Sequence, residues 1–302
     1  MSDTLVNLRH KLGSARQLAS VVRAMKAVAA TSIAQFEAAV AALGDYSQCV
    51  ELGLSLSLRD SAGEVEALSR GGPARDSPAV ALIFGSDQGL VGRFNEVIAE
   101  YALRALGALP GPKLIWVVGE RVIPHIEAEG FTIRGRFTVP NSVPAITSLV
   151  DEIQLQLEDF TADGQYPVYV FHNQPRAPAR YEPAMQRILP FDASWRSGLI
   201  KRPWPGNPLA EILGGGVANL PALIHEYLFI GLYKSCAESL ASENASRLEA
   251  MQRAEKNIAH LSDELHRSLN RLRQSSIDAE LFDVVAGFNA LGDRIRPSAA
   301  SQ

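Results

Sequence analysis

The sequence predicts an α/β protein of uncommon layout: a long antiparallel two-helix coiled coil made from its N- and C-terminal segments, with a small Rossmann-like parallel α/β domain inserted between them. Three observations carry this expectation. Apolar residues recur every three or four positions along both ends of the chain, the spacing of a single helical stripe. Of the 17 prolines, none precedes Pro73, Pro297 lies in the tail, and the rest fall between Pro73 and Pro221. An interior proline costs a helix about 3 kcal/mol, so the proline-poor ends suit long helices and the punctuated middle does not. In that middle, short apolar runs alternate with amphipathic ones, the signature of strands alternating with helices.

Residues 1–60 form the first predicted helix. Thr4 is placed to cap it, and Leu5, Leu8, Leu12, Ala15, Ala19, Val22, Met25, Ala29, Ile33, Phe36, Val40, Leu43, Tyr46, Val50 and Leu54 define its stripe. Gly13, Gly44 and Gly53 weaken it by about 1 kcal/mol each relative to alanine. The many alanines and valines permit close approach of a second helix.

Residues 61–78, rich in Gly, Ser and charge, read as a linker. The α/β domain spans 79–190, with strands expected at 79–84, 113–118, 132–137, 168–172 and 184–189 and helices at 94–109, 120–129 and 143–160. Residues 191–220, with Trp195, Trp204, Pro203, Pro205, Pro208 and Gly214-Gly215-Gly216, read as a loop connection. The second long helix covers 221–292, with a stripe through Leu240, Ala245, Leu248, Met251, Ala254, Ile258, Leu261, Leu265, Leu269 and Leu272, and 293–302 form a tail. At 1.5 Å per residue this helix is roughly 100 Å long, too long to bury its stripe inside a compact domain. Its natural partner is the N-terminal helix; a homodimeric coiled coil is the competing arrangement.

Composition narrows the function classes. Hydrophobic residues make up 47% of the 302 and charged residues 21%, an ordinary soluble balance, and a formal net charge of −4 argues against bulk nucleic-acid binding. The short apolar runs at 79–84 and 114–118 are too short to span a bilayer. No signal or transit peptide is expected at the N-terminus. Cys49 and Cys236 lack metal-type spacing and read as reduced thiols. The six histidines are scattered, and no nucleophile carries a local activation motif, so neither a metal, a cofactor nor a small-molecule substrate is expected.

Two regions draw attention. The loop 85–94 sits where α/β folds bind phosphate, but Gly89 and Gly92 form only a GxxG, without the lysine or the spacing of a nucleotide loop. It reads instead as a tight strand-to-helix turn, with Asp87 near the helix N-terminus where a carboxylate is favoured. The long helices carry the second region. Arg9, Lys11, Arg16, Arg23 and Lys26 lie on the first without an intervening acid, and Arg267, Arg271 and Arg273 on the second are followed by Asp278, Glu280 and Asp283. Antiparallel pairing makes these a charged tip, which reads either as a solvated helix face or as a surface for acidic partner loops through arginine contacts, with nucleic acid a third option that lacks interleaved aromatics.

Four stretches resemble one family, the gamma subunit of F-type ATP synthases. Leu8-Arg9-His10-Lys11-Leu12 with Arg23-Ala24-Met25-Lys26-Ala27-Val28-Ala29-Ala30 looks like its opening helix with an "AM..VAA" core. Residues 86–95 resemble "DRGLCGGLN", residues 240–251 "LASEQAARMxAM", and residues 273–281 "RQAxITxEL". The matches cover nearly the whole chain in order. The resemblance implies a non-catalytic central-stalk rotor that turns inside a ring of alpha and beta subunits and binds epsilon and the membrane c-subunit ring at its base. It implies a peripheral position on the cytoplasmic side of a bacterial inner membrane. Carried over by position, Arg9, Arg23, Met25, Lys26, Arg273, Gln274, Asp278 and Glu280 would meet the alpha/beta ring, as would the loop with Asp87, Gly89 and Gly92. Departures are Asp278 for a threonine, Phe288 for an alanine, Ser32 for a lysine and Gln88 for the loop arginine. Residues 214–221 also replace the usual segment before the last helix. They are similar to what a divergent branch, such as the alternative bacterial F-type ATPases, would carry, with protons or sodium as coupling ion. A nucleotide-binding α/β enzyme with coiled-coil dimerisation arms is the alternative, and an unrelated coiled-coil adaptor a third.

Overall fold

The computed structural model describes residues 2–60, 78–161, 166–176, 180–189, 193–205, 212 and 215–295. The expected linker, apart from Pro78, and the tail from 296 onward lie outside them. The elements are α1 (Ser2–Asp60), β1 (Ala79–Phe84), α2 (Phe94–Ala108), β2 (Lys113–Val118), a 3₁₀ turn (Glu120–Val122) leading into α3 (Ile123–Ala128), β3 (Ile133–Phe137), α4 (Val143–Thr161), β4 (Val168–Arg176), β5 (Arg180–Leu189), α5 (Ala193–Ile200) and α6 (Gly216–Ile295). The chain divides into two compact units, Met1–Ala27 with Met251–Gln302, and Val28–Ala250. The division falls inside both long helices rather than at their ends, because the middle of each helix packs on the sheet domain.

In the larger unit the strand order is β3-β2-β1-β4-β5. β1 lies at the centre, parallel to β2 and β4, and all six of its residues are buried. This is why it reads as an unbroken apolar run: both faces are covered. Val80, Leu82 and Phe84 pack with Ile146, Val150 and Ile153 of α4, Leu232 and Leu240 of α6, and Phe36 of α1. Ala79, Ala81 and Ile83 face Ile98, Ala102 and Leu106 of α2 and Ile126 of α3. Each fully buried aliphatic or aromatic side chain contributes about 1.5–3 kcal/mol, so the two-sided core ties both long helices to the sheet.

The expectation of an all-parallel sheet is corrected at β5, which runs antiparallel to β4. Only three residues separate Arg176 from Arg180, too few for a crossover connection. Both strands also run past their expected ends. β1 pairs with β4 only as far as Phe171, so residues 172–176 have β5 as their one strand neighbour, and Pro175 and Pro183 are tolerated there.

Residues 193–200, read as loop, form α5. Leu199 is buried with Val50, Leu54 and Leu58 of α1 and Leu220 and Ile230 of α6, and Trp195 donates from Nε1 to the Tyr227 hydroxyl at 2.8 Å. Here tertiary burial supports a helix of eight residues that its sequence does not announce.

Within this unit α1 and α6 pair in antiparallel sense. The Gly216 N–H donates to Asp60 at 2.8 Å and the Tyr46 hydroxyl to Glu226 at 2.6 Å. A Cβ on Gly53 would lie 3.1 Å from Leu223, so this glycine is what lets the two helices close up. The α1 stripe is buried or half-buried from Leu5 to Leu54 except at Tyr46, which stands 43% exposed. α1 begins at Ser2, ahead of the expected cap at Thr4. α6 begins at Gly216, so Pro221 lies inside it. In the smaller unit Leu12, Ala15, Val22 and Met251 are buried, while Leu261, expected in the stripe, is 49% exposed.

By length and composition alone, the Leu5–Asp60 stretch is apolar enough to cross a membrane, with a mean hydropathy of 1.4 over 18 residues. Its alanines and valines, spread over both faces of the helix, produce this value where no short apolar run does.

Candidate functional site

The loop between β1 and α2 is held from every side. The Ser86 N–H donates to Asn95 Oδ1 at 2.9 Å, and Asn95 Nδ2 donates back to Ser86 Oγ at 2.9 Å. Ser86 Oγ in turn donates to the Gln88 carbonyl at 3.0 Å. Asp87 accepts the Glu120 N–H at 2.9 Å through one oxygen and the Val139 N–H at 2.8 Å through the other. The carboxylate therefore sits at the N-terminal turn of the Glu120–Ala128 helical segment, rather than at the N-terminus of α2 that immediately follows the loop. Further along, the Val91 carbonyl accepts from Ser246 Oγ on α6, and the Phe94 carbonyl accepts from Asn173 Nδ2 on β4 at 3.1 Å.

The glycines of this region have unequal roles. Gly119 has φ +100°, and a Cβ there would lie 2.7 Å from the Ser86 nitrogen. Gly85 is also pinned, with a Cβ 2.7 Å from Val122, and Gly92 has φ 57°. Gly89 has open space around its Cβ position. Of the two glycines named from sequence, Gly92 is required by backbone conformation and Gly89 is not.

In this fold the strand order reverses between β1 and β4, where a doubly wound sheet usually opens a ligand crevice at the strand C-termini. Here that position is filled by the chain itself. Val91, Phe94 and Asn95 are buried, Asn173 is wholly buried, and buried His172 meets Glu238 of α6 at 2.9 Å.

Two of the four resembling stretches, far apart in sequence, meet beside this loop. A pocket of about 180 Å³ is lined by Asp87 and Gln88 from the loop, Glu243, Asn244 and Arg247 from α6, and Phe36 from α1. Glu243 and Arg247 form an ion pair at 2.5 Å with side chains 7% and 11% exposed. Burial pushes the Glu243 carboxyl above its ordinary value; Arg247 opposes that shift and the charge of Asp87 adds to it. Arg247 also donates to Asn244 at 3.2 Å, while its buried Nε has no partner. Ser246, Asn95, Asn173 and the Glu243–Arg247 pair were not singled out by sequence reasoning. The signal for three of them was their place inside the matched stretches.

The remaining sequence-predicted residues belong to the smaller unit. Lys26 is not a free cation: its Nζ donates to Glu255 at 2.6 Å. That bond, first, and the charges of Lys26 and Arg23 hold the Glu255 carboxyl below its ordinary value. Met25 is half-buried; Arg9 and Arg23 are exposed. Arg273, Gln274, Asp278 and Glu280 are exposed, and among the described residues they have no hydrogen-bond or ion-pair partner. Beyond them lies a surface the sequence reading missed. Ile277, Leu281, Phe282, Val284, Val285 and Phe288 are 49–77% exposed, an apolar concentration of the kind that marks a binding surface.

An ATP synthase family model matches residues 4–291. Among curated relatives, the ATP synthase gamma chain of Frankia casuarinae is 28% identical over 308 aligned positions, covering 96% of this chain and 99% of the relative. That of Glaesserella parasuis is 25% identical over 291, covering 94% and 98%. Among solved structures, a chain of the Euglena gracilis mitochondrial ATP synthase (OSCP/F1/c-ring) shares the fold with a TM-score of 0.66 at 16% identity, covering 100% of this chain and 99% of that one. A chain of the Tetrahymena thermophila mitochondrial ATP synthase central stalk and c-ring reaches 0.53 at 19% identity over 78% and 99%. With two long helices flanking a sheet domain in chain order and the matched stretches in place, the chain belongs to the ATP synthase gamma-chain family.

Proposed function

We propose that this chain turns as the drive shaft of a membrane-associated F-type ATPase, and that Arg9, Arg23, Met25, Arg273, Gln274, Asp278 and Glu280 meet the surrounding alpha and beta subunits. Segments 1–60 and 221–292 act as the shaft and 79–190 as the domain that stiffens it. The loop carrying Asp87, Gly89 and Gly92 forms a separate contact with the ring. Epsilon and the membrane c-subunit ring bind elsewhere on the chain, and the complex sits on the cytoplasmic side of a bacterial inner membrane with protons or sodium as coupling ion. Lys26 acts through its bond to Glu255, tying the two helices beside Arg23, rather than by reaching a partner directly.

The observation that carries this reading is the exposed set Arg273, Gln274, Asp278 and Glu280, without partners among the described residues, next to exposed Ile277, Leu281, Phe282, Val284, Val285 and Phe288 on a helix of a chain in this family. Charged groups without internal partners, beside apolar surface kept in water, suit a face completed by another subunit. The shaft needs no chemistry of its own. It carries torque by presenting different contacts to each ring site in turn, shifting that site's affinity by the difference in contact free energy.

The test replaces Arg273→Glu together with Gln274→Ala in a complex reconstituted with alpha and beta. ATP turnover falls several-fold while assembly persists; unchanged turnover removes these residues from the contact. The nucleotide-binding enzyme alternative requires saturable nucleotide binding by the isolated chain, and the filled crevice at the ends of β1 and β4 argues against it. Calorimetry with ATP and ADP distinguishes the two.

A further inference from the structure

The pocket of about 180 Å³ lies where α1, the β1–α2 loop and α6 close on one another, wholly within the larger unit. A cavity of roughly 150 Å³ accommodates a molecule the size of benzene, so this space suits a ligand of about five to seven heavy atoms. It is well below the roughly 300–1,000 Å³ of sites for drug-sized ligands, which sets a nucleotide aside. Charge selects the sign of the ligand. Asp87 and Glu243 both line the cavity, and among the described lining residues Arg247 is the one cation. Its terminal nitrogens are already engaged, Nη2 donating to Glu243 and Nη1 to Asn244. Asp87 accepts one backbone N–H on each oxygen, and a carboxylate offers about four acceptor sites, so about half its capacity is left. The charge of Asp87 also pushes the Glu243 carboxyl upward, so the two acids act on each other here. Buried Phe36 and Leu240 add an apolar part to the lining.

A second observation is independent of these charges. Two of the departures from the matched stretches replace a long cationic side chain by a short neutral one, Ser32 for a lysine and Gln88 for an arginine. They come from different segments of the sequence, yet both line this cavity. Together they remove positive charge from the surroundings of Asp87 and Glu243 and widen the same space.

We infer that this cavity binds a primary alkylammonium ion, a small soluble amine whose charged head meets Asp87 and Glu243 and whose stem lies against Phe36 and Leu240. An ammonium brings three donors and no acceptor, the complement of carboxylates with acceptor capacity to spare. An anion of the same size would meet two like charges. The bound amine links α1, the loop and α6 through one group, at the junction where both long helices pack on the sheet. The site lies inside a single chain and stands apart from the ring contacts proposed above.

The experiment titrates n-butylammonium chloride into the purified full-length chain, followed by calorimetry and thermal denaturation, with n-butanol and sodium chloride at matched concentrations as controls. Saturable binding with a Kd on the order of millimolar, and a raised melting temperature, are expected from the amine alone. Ser32→Lys carries an ammonium into the cavity on its own stem from a half-buried position, so butylammonium binds at least about tenfold more weakly while the melting temperature holds or rises. Asp87→Asn weakens binding by a similar factor; should it fail to fold, Ser32→Lys decides. Heat no greater than that of sodium chloride, an equal response to butanol, or wild-type affinity in Ser32→Lys each overturns the inference. The same titration into the complex with alpha and beta tests the source of the amine. Binding kept in the wild-type complex and lost with Ser32→Lys supports a soluble amine. Binding lost on assembly of the wild-type complex assigns the cavity to a partner's cationic side chain and overturns the inference.

Discussion

Truncating the buried pair beside the loop should have asymmetric consequences. Glu243→Ala leaves the Arg247 guanidinium almost wholly buried, with Nε already lacking a partner. A guanidinium cannot shed its proton, so the full penalty of an uncompensated buried charge applies, about 3–5 kcal/mol. Arg247→Ala leaves a carboxylate instead, and a carboxylate has an escape. Burial and the nearby Asp87 charge already hold Glu243 above its ordinary 4.5, and Arg247 is the group that opposes them. Without Arg247 the carboxyl rises further and takes up a proton. The cost is then about 1–3 kcal/mol at pH 8, that of an imperfectly satisfied buried polar group, and smaller at pH 5. The sign follows from proton counts. Between the unfolded and the raised folded pKa the native state binds more protons than the unfolded state, so stability rises as pH falls through the folded value toward the unfolded one. Urea unfolding followed by circular dichroism at pH 5 and pH 8, on both single variants and the double, measures all of this. The double variant should fall short of the sum of the singles by about 1–3 kcal/mol. An Arg247→Ala cost equal to that of Glu243→Ala and flat with pH, or strict additivity, refutes the reasoning.

Two further outcomes follow from the geometry. Cys49 is exposed, whereas Cys236 is buried and burial pushes its thiol far up. One thiol per chain should therefore react with a maleimide or a disulfide reagent at pH 7.5 under native conditions, and two in denaturant. Two fast-reacting native thiols would contradict the packing of α6 on the sheet. Gly119→Ala drives a Cβ into the backbone at Ser86 from a left-handed conformation, for a loss of about 1–2 kcal/mol in strain and about 1–3 kcal/mol in overpacking. Gly89→Ala meets open space and should stay within about 0.5 kcal/mol, so thermal denaturation of the pair checks whether the loop is pinned at Gly119.

Some elements were legible residue by residue and others were not. β1 was plain because a central parallel strand must be apolar on both faces, and Ala79–Phe84 is. The α1 stripe was nearly complete because a helix paired along its length repeats one demand every turn. β5 was hard to read: an edge strand is wet on one side, so Arg180, Glu182 and Pro183 do not disqualify it, and its direction depends on how many residues precede it. α5 was missed because its stability comes from Leu199 and Trp195 packing on α1 and α6, which no local pattern announces. At the candidate site the tight turn was legible from its glycines, and Gly92 does need its φ of 57°, but Asp87 caps the segment at Glu120 rather than the helix that follows the loop. Gly89 owed its selection to sequence proximity, and Lys26 proved to be bonded to Glu255.

By itself the sequence determined that two long helices flank an α/β insert, and, through stretches in a fixed order, which family the chain belongs to. Periodicity and proline placement are local demands of backbone geometry, so they survive in one dimension. Only the tertiary structure decided how the loop 85–94 is held. Ser246 lies 155 positions from Val91 in sequence yet grips its carbonyl, and Asp87 answers backbone groups at Glu120 and Val139. Those bonds join segments whose separation no pattern encodes, and they frame Leu90, which is 62% exposed at a φ of 64° that leucine seldom adopts.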